Sequence, residues 1–360
     1  MQCVAKWLQA GLQCCVWGLM VLLAVQPEVC GQQANVDQSA QVVAATESLF
    51  GQLSESQRQA VSFRFNDDEQ RLRWSNLPSG IFARRGLRMG DLSESQRSAV
   101  MGVLKATLSP AGYQAVVDNV EADEQLNSGA GRGRVIFGRD EFYFAVLGQP
   151  SLKEAWMWQF GGHHLAVNAT IVGTKITLAP SLTGGQPMHY KAGQRAVSQM
   201  SEEIAVAAKL VQSLTVEQRG KAVVSERFGD MVWGPGRDDM VPQPEGIQGR
   251  DLSAEQRQQL LSLLLLRVGL LNAEDAGERR GELEKGLDDT WFSWRGALTA
   301  DGASSYRVQG PSVFLEYAPQ SMGGKPAEHI HAMYREPGND YGLRWFREST
   351  AAEKSVPDNR

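Results

Sequence analysis

The chain has 360 residues, of which 42% are hydrophobic and 21% are charged, and its formal net charge at pH 7 is −5. Because Lys and Arg are dispersed along the sequence, they form no basic stripe, which argues against a nucleic-acid partner. The hydrophobic content is sufficient for one large or two ordinary folded domains.

The first residues have the layout of a secretory signal peptide. Lys6 precedes an apolar run over residues 11–25, and small and polar residues follow from Gly31 onward. Such a run is shorter than the ~20 residues that span a bilayer as a helix, so we expect no stable membrane span after cleavage. We therefore predict a signal peptide at residues 1–31 and an exported protein, periplasmic or extracellular.

Every cysteine of the chain lies within this segment, namely Cys3, Cys14, Cys15 and Cys30. The mature chain would keep one thiol at most. We therefore expect no internal disulfide, no zinc–thiolate site and no catalytic cysteine.

Four segments carry the same signal for the start of a helix. In each, Leu is followed by Ser or Thr and, three residues later, by Gln, which is the pattern of a capping box with a hydrophobic staple before it. The pattern predicts helices that begin within residues 53–58, 92–97, 214–219 and 252–257.

The spacing of these signals indicates an internal repeat. The first pair is 39 residues apart and the second pair 38. Aromatic, strand-like sequence follows each pair, at residues 142–160 and 291–310. We predict an α+β fold of two divergent duplicated halves, each with helices followed by an antiparallel sheet, related by a pseudo-twofold axis. The first half covers residues 32–200, the second covers 201–345, and a polar C-terminal tail covers 346–360.

The five histidines fall in two islands, His163–His164 with His189 shortly after it, and His329–His331, and this clustering indicates a site. In an extended strand, His329 and His331 point the same way with Cα atoms about 6.6 Å apart, close enough for both to hold one metal ion. On a strand, His163 and His164 would point to opposite faces. His164 falls with polar residues and is the better candidate, whereas His163 falls with apolar residues and has a buried, hydrogen-bonded role as its alternative. His189 lies in a predicted loop, where a surface position is expected.

The two halves differ at these islands. The His163–His164 pair has no counterpart in the second half, and the His-x-His island occurs in the second half alone. We therefore expect one composite site, with one island from each half.

Two carboxylates are predicted to complete this site, Glu203 in the first turn of a helix and Asp340 in a loop. Helix N-terminal charge and turn chemistry are their alternative roles. Three imidazoles with an oxygen and an open position suit a hydrolytic or oxidative metal centre. Zinc, copper, manganese and iron all remain open.

A metal-free interpretation is also open, because histidines and aromatic rings line pockets for sugars and small polar molecules. Trp156, Trp158, Trp291 and Trp294 lie in the predicted strands and would offer stacking faces, or simply fill the core. The sequence has no Gly-x-Ser-x-Gly elbow, P-loop or His-Glu-x-x-His motif, which disfavours serine hydrolases, nucleotide binding and zincins.

Four motifs in a fixed order carry a resemblance to a known family. They are Trp-Gln-Phe-Gly-Gly-His-His-Leu at 158–165, Gln-Ser-Leu-Thr-Val-Glu-Gln-Arg at 212–219, Leu-Asp-Asp-Thr-Trp-Phe-Ser-Trp at 287–294, and Glu-His-Ile-His at 328–331 with Asn-Asp-Tyr-Gly at 339–342. In these the chain resembles the bacterial and fungal proteins known only as domain of unknown function 3500, over roughly residues 53–345. The resemblance implies that both islands belong to one ancestral feature, and that Glu202-Glu203 is the family's acidic pair. It implies no activity.

The leading hypothesis is an exported metal-dependent enzyme of the hydrolase class. His164, His329, His331 and His163 would hold the ion, and Glu203 or Asp340 would act as general base. The alternatives are a non-catalytic binding protein for a small polar ligand or carbohydrate, and a copper- or zinc-binding protein.

Overall fold

The computed structural model describes residues 38–127, 134–300, 303–322 and 324–355. The predicted signal peptide and the four cysteines lie outside the described residues. Among those described, no helix is both long and apolar enough to cross a membrane.

The helices begin where the capping signals predict. Ser54, Ser93, Thr215 and Ser253 are N-caps, and each forms a complete capping box with the Gln three residues later. The described helices are α1 Gln38–Gln52, α2 Glu55–Val61, α3 Asp68–Arg71, α4 Glu94–Thr107, α5 Pro110–Asn127, α6 Ser201–Ser213, α7 Val216–Ala222, α8 Ala254–Val268, α9 Ala273–Gly286 and α10 Leu343–Ser355. The last of these shows that the segment predicted as a polar tail is helical up to Ser355.

The strands of both predicted halves belong mainly to one sheet. They are β1 Ser62–Phe63, β2 Leu87–Arg88, β3 Tyr143–Leu147, β4 Trp156–Gly162, β5 Leu165–Val172, β6 Lys175–Thr177, β7 Ser181–Gly185, β8 His189–Ala192, β9 Arg195–Ser198, β10 Val223–Ser225, β11 Ile247–Gln248, β12 Trp291–Gly296, β13 Ser304–Gln309, β14 Phe314–Pro319 and β15 Ile330–Arg335. Thirteen of them form a sheet whose main path is β1-β3-β4-β5-β7-β15-β14-β13-β12-β10, and β8 and β9 form a separate hairpin. The α+β class is therefore confirmed, with a large mixed sheet.

The two central strands, β7 and β15, pair antiparallel and join the two parts of the sheet. Outward from this pair the neighbours are antiparallel, except that β1 and β10 pair parallel with β3 and β12. The described residues form one compact unit.

Helices cover one face of the sheet. Leu165 of β5 packs with α1, α4 and α5, and Ala332 of β15 packs with α6 and α8. Both residues are register partners of Thr183 on β7, so all three side chains lie on the same, helix-covered face. The opposite face carries a small buried cluster of Trp74, Ala166, Leu182 and Met333.

Candidate metal centre

The first histidine island forms a tight turn. β4 ends at Gly162 and β5 begins at Leu165, so His163 and His164 occupy the two turn positions between them. The prediction that these histidines lie in an extended strand is therefore wrong. His164 has a left-handed backbone, with φ of 46°, which a strand position does not have.

Gly184 of β7 provides the space for this turn. Its N–H donates to the carbonyl of His164 at 2.6 Å. A Cβ at position 184 would lie 2.8 Å from the Cβ of His164. Because Gly184 has no side chain, His164 can lie directly over the end of β7.

The second island, His329–His331, approaches Gly184 from β15, on the other side of β7 from β5. His331 is the register partner of Gly184 in the β7–β15 pair, and His329 lies just before β15. As the alternation predicts, His329 and His331 approach each other, and their Nε2 atoms are 3.2 Å apart.

The two islands meet in a histidine triad, His164, His329 and His331. The Nε2 atoms of His164 and His329 lie 2.9 Å apart. One nitrogen of each ring can be chosen so that all three lie within 4.8 Å of one another. The residues are 4%, 8% and 6% exposed, so the cluster is buried.

Burial keeps the triad neutral. Desolvation, reinforced by the neighbouring imidazoles, lowers the pKa of His164 well below its usual value and that of His331 to about 3. Burial also lowers the pKa of His329. A neutral imidazole keeps one nitrogen lone pair, which is what a metal ion requires.

The tautomer of His329 is set by a backbone carbonyl. Its Nδ1 lies 2.5 Å from the oxygen of Met322, so Nδ1–H donates and the lone pair is on Nε2, which faces the triad. Hydrogen bonding of the second ring nitrogen is the usual support of a metal-binding histidine.

The spacing of the nitrogens fits a shared ion. Two nitrogens bound at 2.0–2.1 Å to one tetrahedral ion are about 3.3 Å apart. The separations of 2.9 and 3.2 Å from His329 Nε2 are close to this value, and the nitrogens of His164 and His331 lie within 4.8 Å of each other. The donor set therefore fits an ion that prefers imidazole, such as zinc or copper.

His163 lies beside the triad but is engaged elsewhere. Its Nδ1 is 2.5 Å from Oδ1 of Asp123 on α5, and both side chains are buried. Its ring packs against His164 with centroids 3.8 Å apart. The structure thus gives His163 the hydrogen-bonded position that was its alternative role, next to the three nitrogens rather than among them.

Neighbours that the sequence did not indicate support the site. Asn76 places Nδ2 3.3 Å from Nε2 of His331. Nη2 of Arg84 donates to the carbonyls of Leu77 and Gly162, at 2.7 and 2.6 Å, and so connects the loop that carries Asn76 to the histidine turn. Neither residue belongs to a metal-binding motif, and only folding brings these loops together.

The structure does not bring Glu203 to the triad. Its carboxylate pairs with Arg267 at 2.9 Å and accepts from the hydroxyl of Tyr306. Arg267 also contacts the hydroxyl of Thr183, whose side chain lies on the helix-covered face. His331 points to the opposite face, because its neighbour Ala332 faces the helices.

Asp340 also lies away from the triad. It pairs with Arg335 at 2.7 Å and accepts from the N–H of Glu336 at 2.8 Å. Arg335 is four residues beyond His331 on β15, about 13 Å at the usual rise per residue. Burial raises the pKa of Asp340 to about 6.

His189 lies at the surface, as its predicted loop position suggested, although on the short strand β8. Its Nδ1 is 3.2 Å from the carboxylate of Glu328, and the two side chains are 58% and 44% exposed. Neither His189 nor Glu328 belongs to the triad, although Glu328 is directly before His329 in the chain.

A sequence model of the family described as "Protein of unknown function (DUF3500)" matches residues 35–343. The chain therefore belongs to this family, as its motifs indicated. No curated protein and no solved structure matches the chain.

Proposed function

We propose that this member of the family is an exported metal-dependent hydrolase that binds one divalent transition-metal ion through His164, His329 and His331. The observation that carries the proposal is the convergence of three neutral, buried imidazoles from two distant parts of the chain. Zinc and copper suit this all-imidazole set best, because carboxylates and other oxygen ligands favour manganese.

Hydrogen bonding within the triad is a poorer explanation of its geometry. The lone pair of His329 Nε2 faces nitrogens of His164 and His331 at 2.9 and 3.2 Å. One in-plane lone pair accepts one well-directed hydrogen bond, so two imidazole donors would compete for it. A shared cation would instead engage one lone pair from each ring.

The hydrolytic assignment rests on the number of protein ligands. Three imidazoles leave a tetrahedral ion one further position, the arrangement of catalytic rather than structural zinc sites. Bound there, the ion would supply Lewis acidity and a water of lowered pKa. Asn76 lies beside His331 with its side chain partly exposed, so its amide is placed to orient a polar group at the open side.

A non-catalytic zinc- or copper-binding protein is the second candidate. The low exposure of the triad favours it, as does the placement of Glu203 and Asp340 away from the three nitrogens. The two candidates share the metal centre and differ in whether a substrate reaches it.

Elemental mass spectrometry of the mature chain, purified without a histidine tag or chelator, tests the site. We expect about one zinc or copper per chain, none in the His329→Ala/His331→Ala double variant, and an unchanged content in the His189→Ala control. A metal-free wild-type chain that also takes up no added zinc or copper contradicts the proposal. Hydrolysis of ester, amide and phosphoester substrates by the loaded chain, absent in the double variant, separates enzyme from carrier.

We also propose that the chain arose by duplication. The order of elements supports this: in each part a helix with a capping box leads to two short strands, a second helix with a capping box, a further helix and three antiparallel strands, and the first part alone has α3 between its short strands. Gln57 and Gln96 join their capping boxes through side-chain amides, and Gln218 and Gln256 do the same. A common ancestor of both parts explains why this detail occurs twice.

A further inference from the structure

The structure places a further carboxylate beside the triad. Asp230 lies in the segment between β10 and β11, and its Oδ1 accepts a hydrogen bond at 2.7 Å from Nε2 of Gln320. Gln320 lies directly across from His329, because its N–H donates to the carbonyl of His329 at 2.7 Å, one step beyond the β14–β15 ladder. Directly opposed side chains of an antiparallel pair point to the same face, with Cβ atoms about 4.5–5.5 Å apart. A single glutamine therefore separates Asp230 from the imidazole of His329.

A second contact holds the same segment on this face of the sheet. Met231, the next residue after Asp230, packs against the small cluster that contains Met333. Met333 lies two residues beyond His331 on β15, so the two side chains share the face opposite the helices and lie about 7 Å apart along the strand. Asp230 is thus anchored near the triad by two independent contacts.

The carboxylate of Asp230 is accessible and only partly engaged. The residue is exposed, whereas the triad is buried. Its Oδ1 accepts from Gln320 and from the N–H of Met231, and no hydrogen bond or ion pair engages Oδ2 among the residues that the structure describes. Burial lowers the pKa of His329, and the charge of Asp230 opposes this effect, so the carboxylate lies close enough to act on the ring. Asp230 therefore combines a negative charge near the triad with exposure to solvent.

Two other carboxylates next to the histidine islands have different partners. Asp123 uses one oxygen on Nδ1 of His163 and the other on the N–H of Gly138. Both oxygens of Glu328 lie 3.2 Å from Nδ1 of His189. Each of these carboxylates serves a histidine outside the triad.

We propose that Asp230 is the catalytic acid–base residue of this site, an inference that rests on the proposed hydrolase. As the oxygen of the attacking water bonds to the carbonyl carbon or phosphorus of the substrate, Asp230 takes one proton from this water. The bond to the leaving oxygen or nitrogen then breaks, its electron pair stays on the leaving atom, and Asp230 returns the proton to that atom. Gln320 is a positioning residue that orients the carboxylate.

Hydrolysis by the zinc-loaded mature chain tests this role. Asp230→Asn should lower kcat/KM by about 100-fold or more, as the loss of a general base does, while about one zinc ion per chain stays bound. Asp239→Asn, at an exposed position of the same segment, is the matched control and should keep the wild-type kcat/KM and metal content. Gln320→Ala should lower kcat/KM by about tenfold in the wild-type background and by less than about twofold in the Asp230→Asn background, because it acts through that carboxylate.

Cobalt(II) in place of zinc gives a measurement that does not depend on turnover. Its visible spectrum changes when the bound water loses a proton, so a pH titration gives the pKa of this water. The loss of a neighbouring negative charge favours the deprotonated water, so Asp230→Asn should lower this pKa by about 0.5 or more. Asp239→Asn should leave it unchanged.

Three results overturn the role of Asp230 in a chain that binds zinc and hydrolyses a substrate. They are a wild-type kcat/KM in Asp230→Asn, loss of the ion together with the activity, and loss of activity with an unchanged pKa in the cobalt titration. Additive effects of Gln320→Ala and Asp230→Asn overturn the positioning role of Gln320. Failure of the proposed function looks different, because the wild-type chain itself would then lack the ion or hydrolyse none of the substrates, and the role of Asp230 would fall with it.

Discussion

His164 and His329 are 165 residues apart in the chain, yet their Nε2 atoms lie 2.9 Å apart. Gly184 makes this possible, because it holds the backbone of His164 from β7 while pairing with His331 of β15. The triad therefore depends on the register of the two central strands. A one-residue slip of β15 would turn His331 to the helix-covered face.

Single histidine variants should separate ligands from neighbours. His164→Ala removes one of three nitrogens and should weaken zinc binding by at least about 100-fold, beyond the 10–100-fold typical of supporting residues. His163→Ala removes only a packed neighbour and should fall within that lower range, and His189→Ala should have no effect. Competition with a chromophoric chelator measures all three. Equal effects of His163→Ala and His164→Ala would contradict the assignment.

Gly184→Ala should damage both the fold and the site. The added Cβ would lie 2.7 Å from the carbonyl oxygen of Ile330 and 2.8 Å from the Cβ of His164, so backbone must move. We expect a loss of about 1–3 kcal/mol in unfolding free energy, as in other overpacked positions, and weaker metal binding. Gly220→Ala is the matched control, because no atom lies within 4 Å of its Cβ and alanine favours the helix. Urea denaturation should show the two substitutions acting in opposite directions.

The paired capping boxes should be energetically coupled. Gln218 and Gln256 exchange side-chain hydrogen bonds, at 2.9 Å in both directions, while each also closes its own box. Each Gln→Ala change should cost about 1 kcal/mol, and the double variant should cost less than the sum by roughly 0.5 kcal/mol or more. Gln258→Ala, at an exposed position of α8, should stay within about 0.5 kcal/mol of wild type. Strict additivity in the cycle would show that the contact contributes nothing.

Stability should fall as pH rises through the titration of Asp275. Burial raises the pKa of this carboxyl from 3.8 to about 6, even though it accepts from the N–H of Ile176 and from Asn272. The folded state thus holds a proton that the unfolded state has lost between these values. The stabilisation is complete below pH 3.8 and disappears as pH rises through 6.

At 1.36 kcal/mol per pKa unit, this contribution is up to about 3 kcal/mol. Asp275→Asn lacks the titration, so the stability of wild type relative to the variant should decline from pH 4 to pH 7. Denaturation in matched buffers measures this difference. A difference that is constant with pH, or that rises, would show that Asp275 titrates normally.

Sequence patterns located elements well where the signal was local. The capping boxes named the first residues of four helices, because a cap depends on four consecutive residues. Alternating aromatic residues located β3, β4, β12 and β13. The two histidine islands were predicted to form one site because the clustering of a rare residue can be recognised from the sequence alone.

Long-range relationships were not predictable in the same way. Whether His163 and His164 lie in a strand or in a turn depends on where β4 ends and β5 begins. Gly161 and Gly162 are compatible with either arrangement, so the sequence did not distinguish them. A glutamate in the first turn of a helix has the same local sequence whether it stabilises the helix or acts in catalysis, so the role of Glu203 could not be predicted. Its partner Arg267 is 64 residues away in the sequence. Asn76 lies in a loop without regular structure, so only the folded chain places it against His331.

The pairing of β7 with β15 also determines at which stage of synthesis and folding the three histidines of the triad can come together. His164 is synthesised well before His329, and β15, which carries His331, is the last of the described strands in chain order. A chain that ends before His329 therefore holds one imidazole of the triad, His164, and lacks the other two proposed ligands. If the triad binds the ion that we propose, metal binding would follow the pairing of β15 with β7, and the ion would link β15 to His164 at the middle of the sheet.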